Sequence, residues 1–356
     1  MSETNGESAA ASGTDVQEYE VAVIGGGPAG LSAALYTTRL SHDTVLIDRG
    51  GGRAAMMLDT HNVIGVPEDI SGNEFLSTAT EQVESYGGDV VRDFVTDIDR
   101  EVASDAEDRD DTGRFRLTTT NGEFLADRVV LGVGFSDERP DPPLPRTGRG
   151  LHYCLHCDAY MFIDESVYVM GTGDSAAYVA MIMLNFTDEV DILTRGDEIE
   201  WSEETQQLVE AHPVDVIHEE ITGMTKGEDG WLESFEFEDG AVREYKGGFP
   251  MYGSNYNTDL AESVGCELND DGTVVVDDEG RTSVDGVFAV GDITPGHNQV
   301  PVAMGKGANA GLAIHKELRT FPKSLEEIEA EGAVKSTDVP AVSAELQAAA
   351  RSFGDD

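Results

Sequence analysis

Three features of the sequence predict an α/β chain of two parallel-sheet domains. A strand, glycine-rich turn and helix lie in YEVAVIGGGPAGLSAALYTTRL, the same succession returns in SVYVMGTGDSAAYVAMIM, and a late strand ends in an acid in VDGVFAVGD. In the first, a short β-rich apolar strand enters Gly25, Gly27 and Gly30 in GxGxxG spacing, and an apolar helix follows. Gly25 suits the tight turn, Gly27 lets a pyrophosphate approach the backbone, Gly30 lets helix and strand pack closely, and the helix N-terminus faces the phosphates. The next strand, TVLID, ends at Asp48, whose carboxylate can accept from both hydroxyls of a ribose. Strand, helix and terminal acid together carry the assignment, since glycine-rich turns alone are common.

The second module has GxGxxA at Gly171, Gly173 and Ala176, with DEVDILTRG as its second strand. From Gly25 to Asp48 is 23 residues, and the same step from Gly171 reaches Thr194, followed by Arg195. An acid at this place favours a free ribose hydroxyl, while its absence beside an arginine favours a 2′-phosphate. The first site therefore suits the adenosine of FAD, and the second leans to NADPH over NADH. The segments 127–135, DRVVLGVGF, and 284–292, VDGVFAVGD, each read as a buried strand entering a glycine turn, the latter ending at Asp292.

Composition bounds the function. With 356 residues, 39% of them hydrophobic, the chain has room for two ordinary cores. It carries 70 Asp and Glu against 23 Lys and Arg, a net charge of −47, and only 6 of the basic residues are lysine. The charge is spread along the chain rather than gathered in a tail, which reads as adaptation to a salt-loaded cytoplasm where screening is nearly complete. Nucleic acid and anionic membrane are poor partners for such a surface. No apolar run approaches the roughly 18 residues of a membrane span, and the start of the chain lacks the basic and apolar regions of a secretory signal. A cytoplasmic location is expected. Residues 1–17 read as a disordered tail, runs such as EDRDD and NDD as solvated loops, and residues 321–356 as an acidic extension with two short amphipathic helices.

HYCLHCDAY, residues 152–160, places Cys154 and Cys157 three apart in a chain with one other cysteine, Cys266. In a reducing compartment a close pair is catalytic or metal-binding rather than a structural staple. A zinc cluster of His152, Cys154, His156 and Cys157 would pack four ligands into six residues with poor tetrahedral geometry and no second CxxC, so no metal is expected. Cys266 reads as a small buried hydrophobe, and His61, in DTHNVIGVPE, as a structural histidine.

The order GGGPAG, CxxCD, GTGDSA and GVFAVGD resembles the low-molecular-weight thioredoxin reductase family over roughly residues 19–320. The resemblance implies two Rossmann-like dinucleotide-binding domains of the three-layer ββα type, with the NAD(P) domain inserted into the FAD domain. Residues 18–141 and 249–320 would form the FAD domain and 142–248 the NAD(P) domain carrying the CxxC. It also implies that Cys157 lies against the flavin, that Cys154 attacks the disulfide of a thioredoxin-like protein, and that Asp158 is the acid and base for the leaving thiolate. Asp292 would reach the flavin's ribityl and pyrophosphate, Gln299 its ring, and the helix N-terminus near Ala303 its carbonyl edge. Such proteins are homodimers whose inserted domain swings on linkers, here near residues 136–149 and 246–253.

Departures from the family pattern keep alternatives open. Thr194-Arg195-Gly196 stands where the family has HRR, so NADH, reduced deazaflavin and ferredoxin compete with NADPH as donor. The CxxC interior is Leu155-His156, and an imidazolium at His156 would lower a neighbouring thiol pKa and make the pair more oxidising. A dithiol oxidase or small-thiol disulfide reductase of the same fold, and a non-enzymatic flavin-binding redox sensor, are the competing readings.

Overall fold

The computed structural model describes residues 16–101 and 113–352. Most of the expected tail, residues 1–15, and the acidic run EDRDD lie outside the described residues. The chain divides into two compact units, one of residues 1–50, 76–134 and 258–356, the other of residues 51–75 and 135–257. The sequence places the boundaries at 142 and 249. Segments 135–137 and 254–256 instead pair as antiparallel strands and belong with the second unit. Residues 51–75 also join that unit, tied in by Arg53, which donates to the Asp137 carboxylate at 2.8 Å and to the Tyr153 carbonyl at 3.1 Å.

Among the described residues the first unit holds a seven-stranded sheet in the order 89–91, 44–47, 17–24, 123–131, 114–119, 95–101, with strand Val287–Ala289 added in parallel to Glu123–Leu131. Strands Gln17–Ile24, Thr44–Ile47 and Asp89–Val91 run parallel, whereas Val95–Glu101 and Arg114–Thr119 form an antiparallel meander with Glu123–Leu131. Side chains alternate across the central strand. Val21 and Val23 join Ala33, Phe288 and Ala310 on the helical face, while Ala22 and Ile24 join Phe115 and Leu117 on the other. Burial on both faces is why VAVI is continuously apolar instead of alternating.

Helices Pro28–Arg39 and Val300–Leu318 pack against one another at small residues, and a Cβ added at Gly307 would lie 2.0 Å from the Ala29 carbonyl oxygen. Gly25 has φ +101°, and a Cβ there would meet the Gly132 oxygen at 2.5 Å. Beyond the body come two short helices, Leu325–Glu331 and Ala344–Ser352, the first closed by a capping box between Ser324 and Glu327. The backbone N–H of Ser343 donates to the Ser41 hydroxyl at 2.8 Å.

The second unit repeats the parallel theme in a six-stranded sheet, 215–217, 190–193, 167–170, 247–250, 150–151, 146–147, joined by a three-stranded antiparallel sheet of residues 221–226, 232–237 and 242–244. Val167, Val169, Phe162 and Phe249 pack with helix Asp174–Met183 on one face, and Tyr168, Met170, Phe235 and Tyr245 fill the other. Helices flank the main sheet of each unit, and in the second unit the antiparallel strands cover the face opposite helix Asp174–Met183, in keeping with the two Rossmann-like domains that the resemblance implies.

Gly30 tests the helix-to-strand packing, because a Cβ there would sit 2.0 Å from the Gly25 carbonyl oxygen. Gly30→Ala is expected to cost about 1–3 kcal/mol, the usual range for forced overpacking, seen as a lower denaturation midpoint; an unchanged midpoint contradicts this packing.

Candidate functional sites

The first unit carries a dinucleotide cradle. Gly27 caps helix Pro28–Arg39 in extended conformation with no side-chain cap, so the first N–H groups of the helix remain for a ligand. A Cβ at Gly27 would meet nothing within 4 Å, which leaves open space over the turn. Asp48 stands at the end of its strand, and one carboxylate oxygen accepts the Gly26 N–H at 2.9 Å. Its other oxygen lies 3.7 Å from the largely exposed Arg92 guanidinium. An open glycine over a helix N-terminus, with a partly exposed carboxylate held by the turn, fits the pyrophosphate and ribose of FAD.

Asp292 lies in the turn Gly291–Ile293 after the late strand, with Gln299 capping helix Val300–Leu318 and Ala303 buried in its first turn. The sequence reading missed Lys306. Its ammonium donates to the carbonyls of Gly291 at 3.1 Å, Thr294 at 3.2 Å and Pro295 at 2.8 Å, clasping the loop that carries Asp292. Desolvation pushes the Lys306 pKa down, and Asp292 opposes that shift. Gly25, Gly27, Gly30, Asp48, Asp292, Gln299 and Ala303 all fall in the first unit.

In the second unit Gly171, with φ +142°, opens the corresponding turn, Gly173 caps helix Asp174–Met183 without a side-chain cap, and Ala176 is fully buried. A Cβ at Gly173 would also meet nothing within 4 Å. The 2′-phosphate expectation fares differently. Thr194 is fully buried with its hydroxyl 3.4 Å from His218 Nδ1. Arg195, 6% exposed, donates from Nη1 to the Asp141 carbonyl at 2.6 Å and has Nε 3.7 Å from Glu220. Its guanidinium is therefore engaged inside the unit instead of being held out to a phosphate. Burial pushes the neighbouring Tyr252 phenol up, and Arg195 opposes that shift.

The cysteine pair sits beyond strand Gly150–Leu151. Cys154 and Cys157 form a disulfide with their Cα atoms 5.2 Å apart, spanning the head of the short helix Leu155–Asp158. The Cys157 N–H donates to Cys154 Sγ at 3.1 Å, the Asp158 N–H donates to the Cys154 carbonyl at 3.1 Å, and Asn62 Nδ2 donates to Cys157 Sγ at 3.4 Å. Both sulfurs belong to half-buried residues. His156 is exposed, and it is His152, buried, that meets Asp158, with Nδ1 2.8 Å from Oδ2. Tyr160 packs edge-on against His61, their rings 5.8 Å apart, with its hydroxyl 2.8 Å from Nδ1. Desolvation, with the Glu68, Asp158 and Asp59 carboxylates, pushes the Tyr160 hydroxyl up. Cys266 is buried in the other unit, 3.4 Å from the Thr282 hydroxyl, and burial pushes its thiol up.

Asn62 carried no signal in the sequence, because nothing local marks a loop some 95 residues away as a neighbour of the cysteines; Tyr160 lies three residues past Cys157, and its contact with His61 is what the sequence does not show. Among the described residues no helix is long and apolar enough to cross a membrane, and no group of three or more His, Cys, Asp or Glu could hold a metal.

The family described as pyridine nucleotide-disulphide oxidoreductase matches residues 19–307. The thioredoxin reductase of Peptoclostridium litorale is 32% identical over 320 residues, spanning 84% of this chain and 96% of that protein. Among solved structures, HlmI superposes with a TM-score of 0.77 at 28% identity over 94% of this chain and 97% of its own. Thioredoxin reductase from Streptococcus pyogenes gives 0.75 at 27% identity over 85% and 99%.

Asp48 tests the first cradle. Asp48→Ala removes a charged acceptor for ribose and for the Gly26 N–H, so the flavin dissociation constant is expected to rise about tenfold to a hundredfold, read by ultrafiltration of the coloured protein. Unchanged flavin retention places the adenosine elsewhere.

Proposed function

The chain belongs to the pyridine nucleotide-disulphide oxidoreductase family, and on that premise we propose that it is a thioredoxin-disulfide reductase that draws electrons from NADPH through FAD. The observation that carries the proposal is the Cys154–Cys157 disulfide, half-buried at the head of a turn that also holds Asp158. Reductases of this family use FAD and a nicotinamide nucleotide, and both glycine turns fit such ligands. We assign FAD to the first unit and the nicotinamide nucleotide to the second, together with the cysteines.

Bound FAD supplies the two-electron relay between nicotinamide and disulfide. This chain's residues do the rest. Gly27 and Gly173 leave room for phosphates over two helix N-termini, Asp48 orients a ribose, and Lys306 holds the loop of Asp292 in place. Once the disulfide is opened, Cys154 as thiolate attacks the partner's disulfide, and Cys157 closes on Cys154 to release it. Asp158 moves the proton that the leaving thiolate needs. Cys157, held by Asn62 in the oxidised state, is the inner sulfur. The similarity to thioredoxin reductases over most of the chain supports a thioredoxin-like protein as partner, and we extend the proposal to a homodimer in the reducing cytoplasm.

Because Arg195 is committed to Asp141 and Glu220, discrimination between the two nicotinamide nucleotides is weak in this reading. The ratio of kcat/KM for NADPH over NADH is expected to stay within about tenfold, less than one bidentate charge-assisted contact would give.

Anaerobic titration of the holoenzyme tests the function. NADPH is expected to bleach the flavin and oxidised thioredoxin to restore its colour, while Cys154→Ser bleaches normally and fails at the second step. A flavin that stays oxidised with either nucleotide refutes the donor. A reduced flavin that thioredoxin leaves unchanged refutes the partner and moves the assignment to small disulfides.

A further inference from the structure

His152 has no place in the chemistry described so far, yet it touches the carboxyl group of Asp158, the residue that follows Cys157. Its backbone N–H donates to the Gly248 carbonyl at 2.9 Å, which fixes the residue at the end of the sheet. Its side chain is 4% exposed, and Nδ1 lies 2.8 Å from Asp158 Oδ2. The ring stands in an aromatic box. Phe162 meets it edge-on at 5.1 Å between centroids, with Trp231 at 6.1 Å and Phe249 at 6.3 Å. Nε2 is buried and meets no protein hydrogen-bonding group among the described residues. The tautomer that serves both sides puts the proton on Nδ1, donating to the carboxylate, and leaves the Nε2 lone pair against the aromatic walls.

A buried nitrogen without a partner is destabilising, and a phenylalanine in the same box would avoid that cost. We propose that His152 is the positioning residue for Asp158: its Nδ1–H pins Oδ2 so that the other oxygen, Oδ1, is the one that exchanges protons with the thiols. This inference rests on the reductase reading of Cys154, Cys157 and Asp158. Cys154 thiolate attacks one sulfur of the substrate disulfide, breaking that bond. The departing thiolate takes the proton of Asp158 and leaves as thiol. Asp158, now a carboxylate, takes the proton of the Cys157 thiol. The Cys157 thiolate then attacks Cys154 Sγ, forming the enzyme disulfide and releasing the second substrate sulfur as thiolate. One thiolate enters the cycle and one leaves it, the enzyme dithiol is oxidised, the substrate disulfide is reduced, and Asp158 ends protonated as it began. A carboxyl group free to rotate would present either oxygen, and the transfer would lose its alignment.

Two substitutions separate positioning from packing. His152→Asn keeps a donor near the Nδ1 position and loses volume, whereas His152→Phe keeps volume and loses the donor. Stopped-flow measurement on the holoenzyme reads flavin reduction by NADPH and dithiol oxidation by thioredoxin as separate steps. Positioning predicts that His152→Phe slows the second step about tenfold to a hundredfold, leaves the first unchanged, and that His152→Asn stays within about threefold of the parent. The inference is overturned if His152→Phe leaves the second step unchanged, if it slows both steps alike, or if His152→Asn is the slower of the two. Cys154→Ser in the same assay keeps the outcomes apart, since thioredoxin turnover that survives it overturns the reductase reading, and turnover lost there but intact in His152→Phe overturns only the role of His152.

Discussion

The constraint on which the first unit depends is the close approach of backbone to backbone at the end of its central strand. Gly25, Gly30 and Gly132 meet there at distances that leave no room for a Cβ on Gly25 or Gly30. That approach sets the N-terminus of helix Pro28–Arg39 over the sheet's end and brings Asp48 onto the Gly26 N–H. The helical layer is packed as closely, since a Cβ on Gly307 would lie 2.0 Å from the Ala29 carbonyl oxygen. Hydrophobic burial on both faces of VAVI stabilises the arrangement without specifying it. The steric demand at the turn supplies the specificity, and the same demand creates the open space over Gly27 where a phosphate fits.

The second unit repeats the glycine turn and carries the Cys154–Cys157 disulfide at its sheet end. Strand Gly150–Leu151 delivers His152, the next turn delivers Cys154 and Cys157, and Asp158 closes back onto His152. Three kinds of chemistry, a thiol pair, a carboxyl group and an imidazole, are thus held within seven residues by one strand end and one short helix. Phe162, Trp231 and Phe249 wall the imidazole from water, so what Asp158 feels on that side is a fixed donor instead of exchanging solvent.

Much of this was legible in the sequence, for a physical reason. Gly25, at φ +101°, and Gly30, where a Cβ would meet the Gly25 carbonyl oxygen, answer steric demands of the turn, and Asp48 takes the Gly26 N–H, so the pattern itself states much of the geometry. The cysteine pair was legible because two thiols three apart, followed directly by an acid, have few uses other than thiol exchange or metal binding. What stayed hidden depends on partners distant in the chain. Arg195 read as a phosphate ligand until the carbonyl of Asp141 and the carboxylate of Glu220 were found to occupy it. Residues 51–75 read as part of the first unit, yet Arg53 and Asn62 bind them to the second. Of the two histidines around the pair, His156 drew attention by lying between the cysteines, whereas His152 makes the contact because the turn reverses the chain onto it.

The central claim is that Cys154 and Cys157 alternate between disulfide and dithiol in step with a bound flavin. Anaerobic reductive titration of the holoenzyme with dithionite measures this directly, by counting electrons taken up per flavin in the parent protein and in the Cys154→Ser, Cys157→Ser double variant. The account predicts that the parent takes up two electrons more than the variant, the capacity of one disulfide. Equal uptake by the two proteins would mean that the disulfide does not communicate with the flavin, and would contradict it.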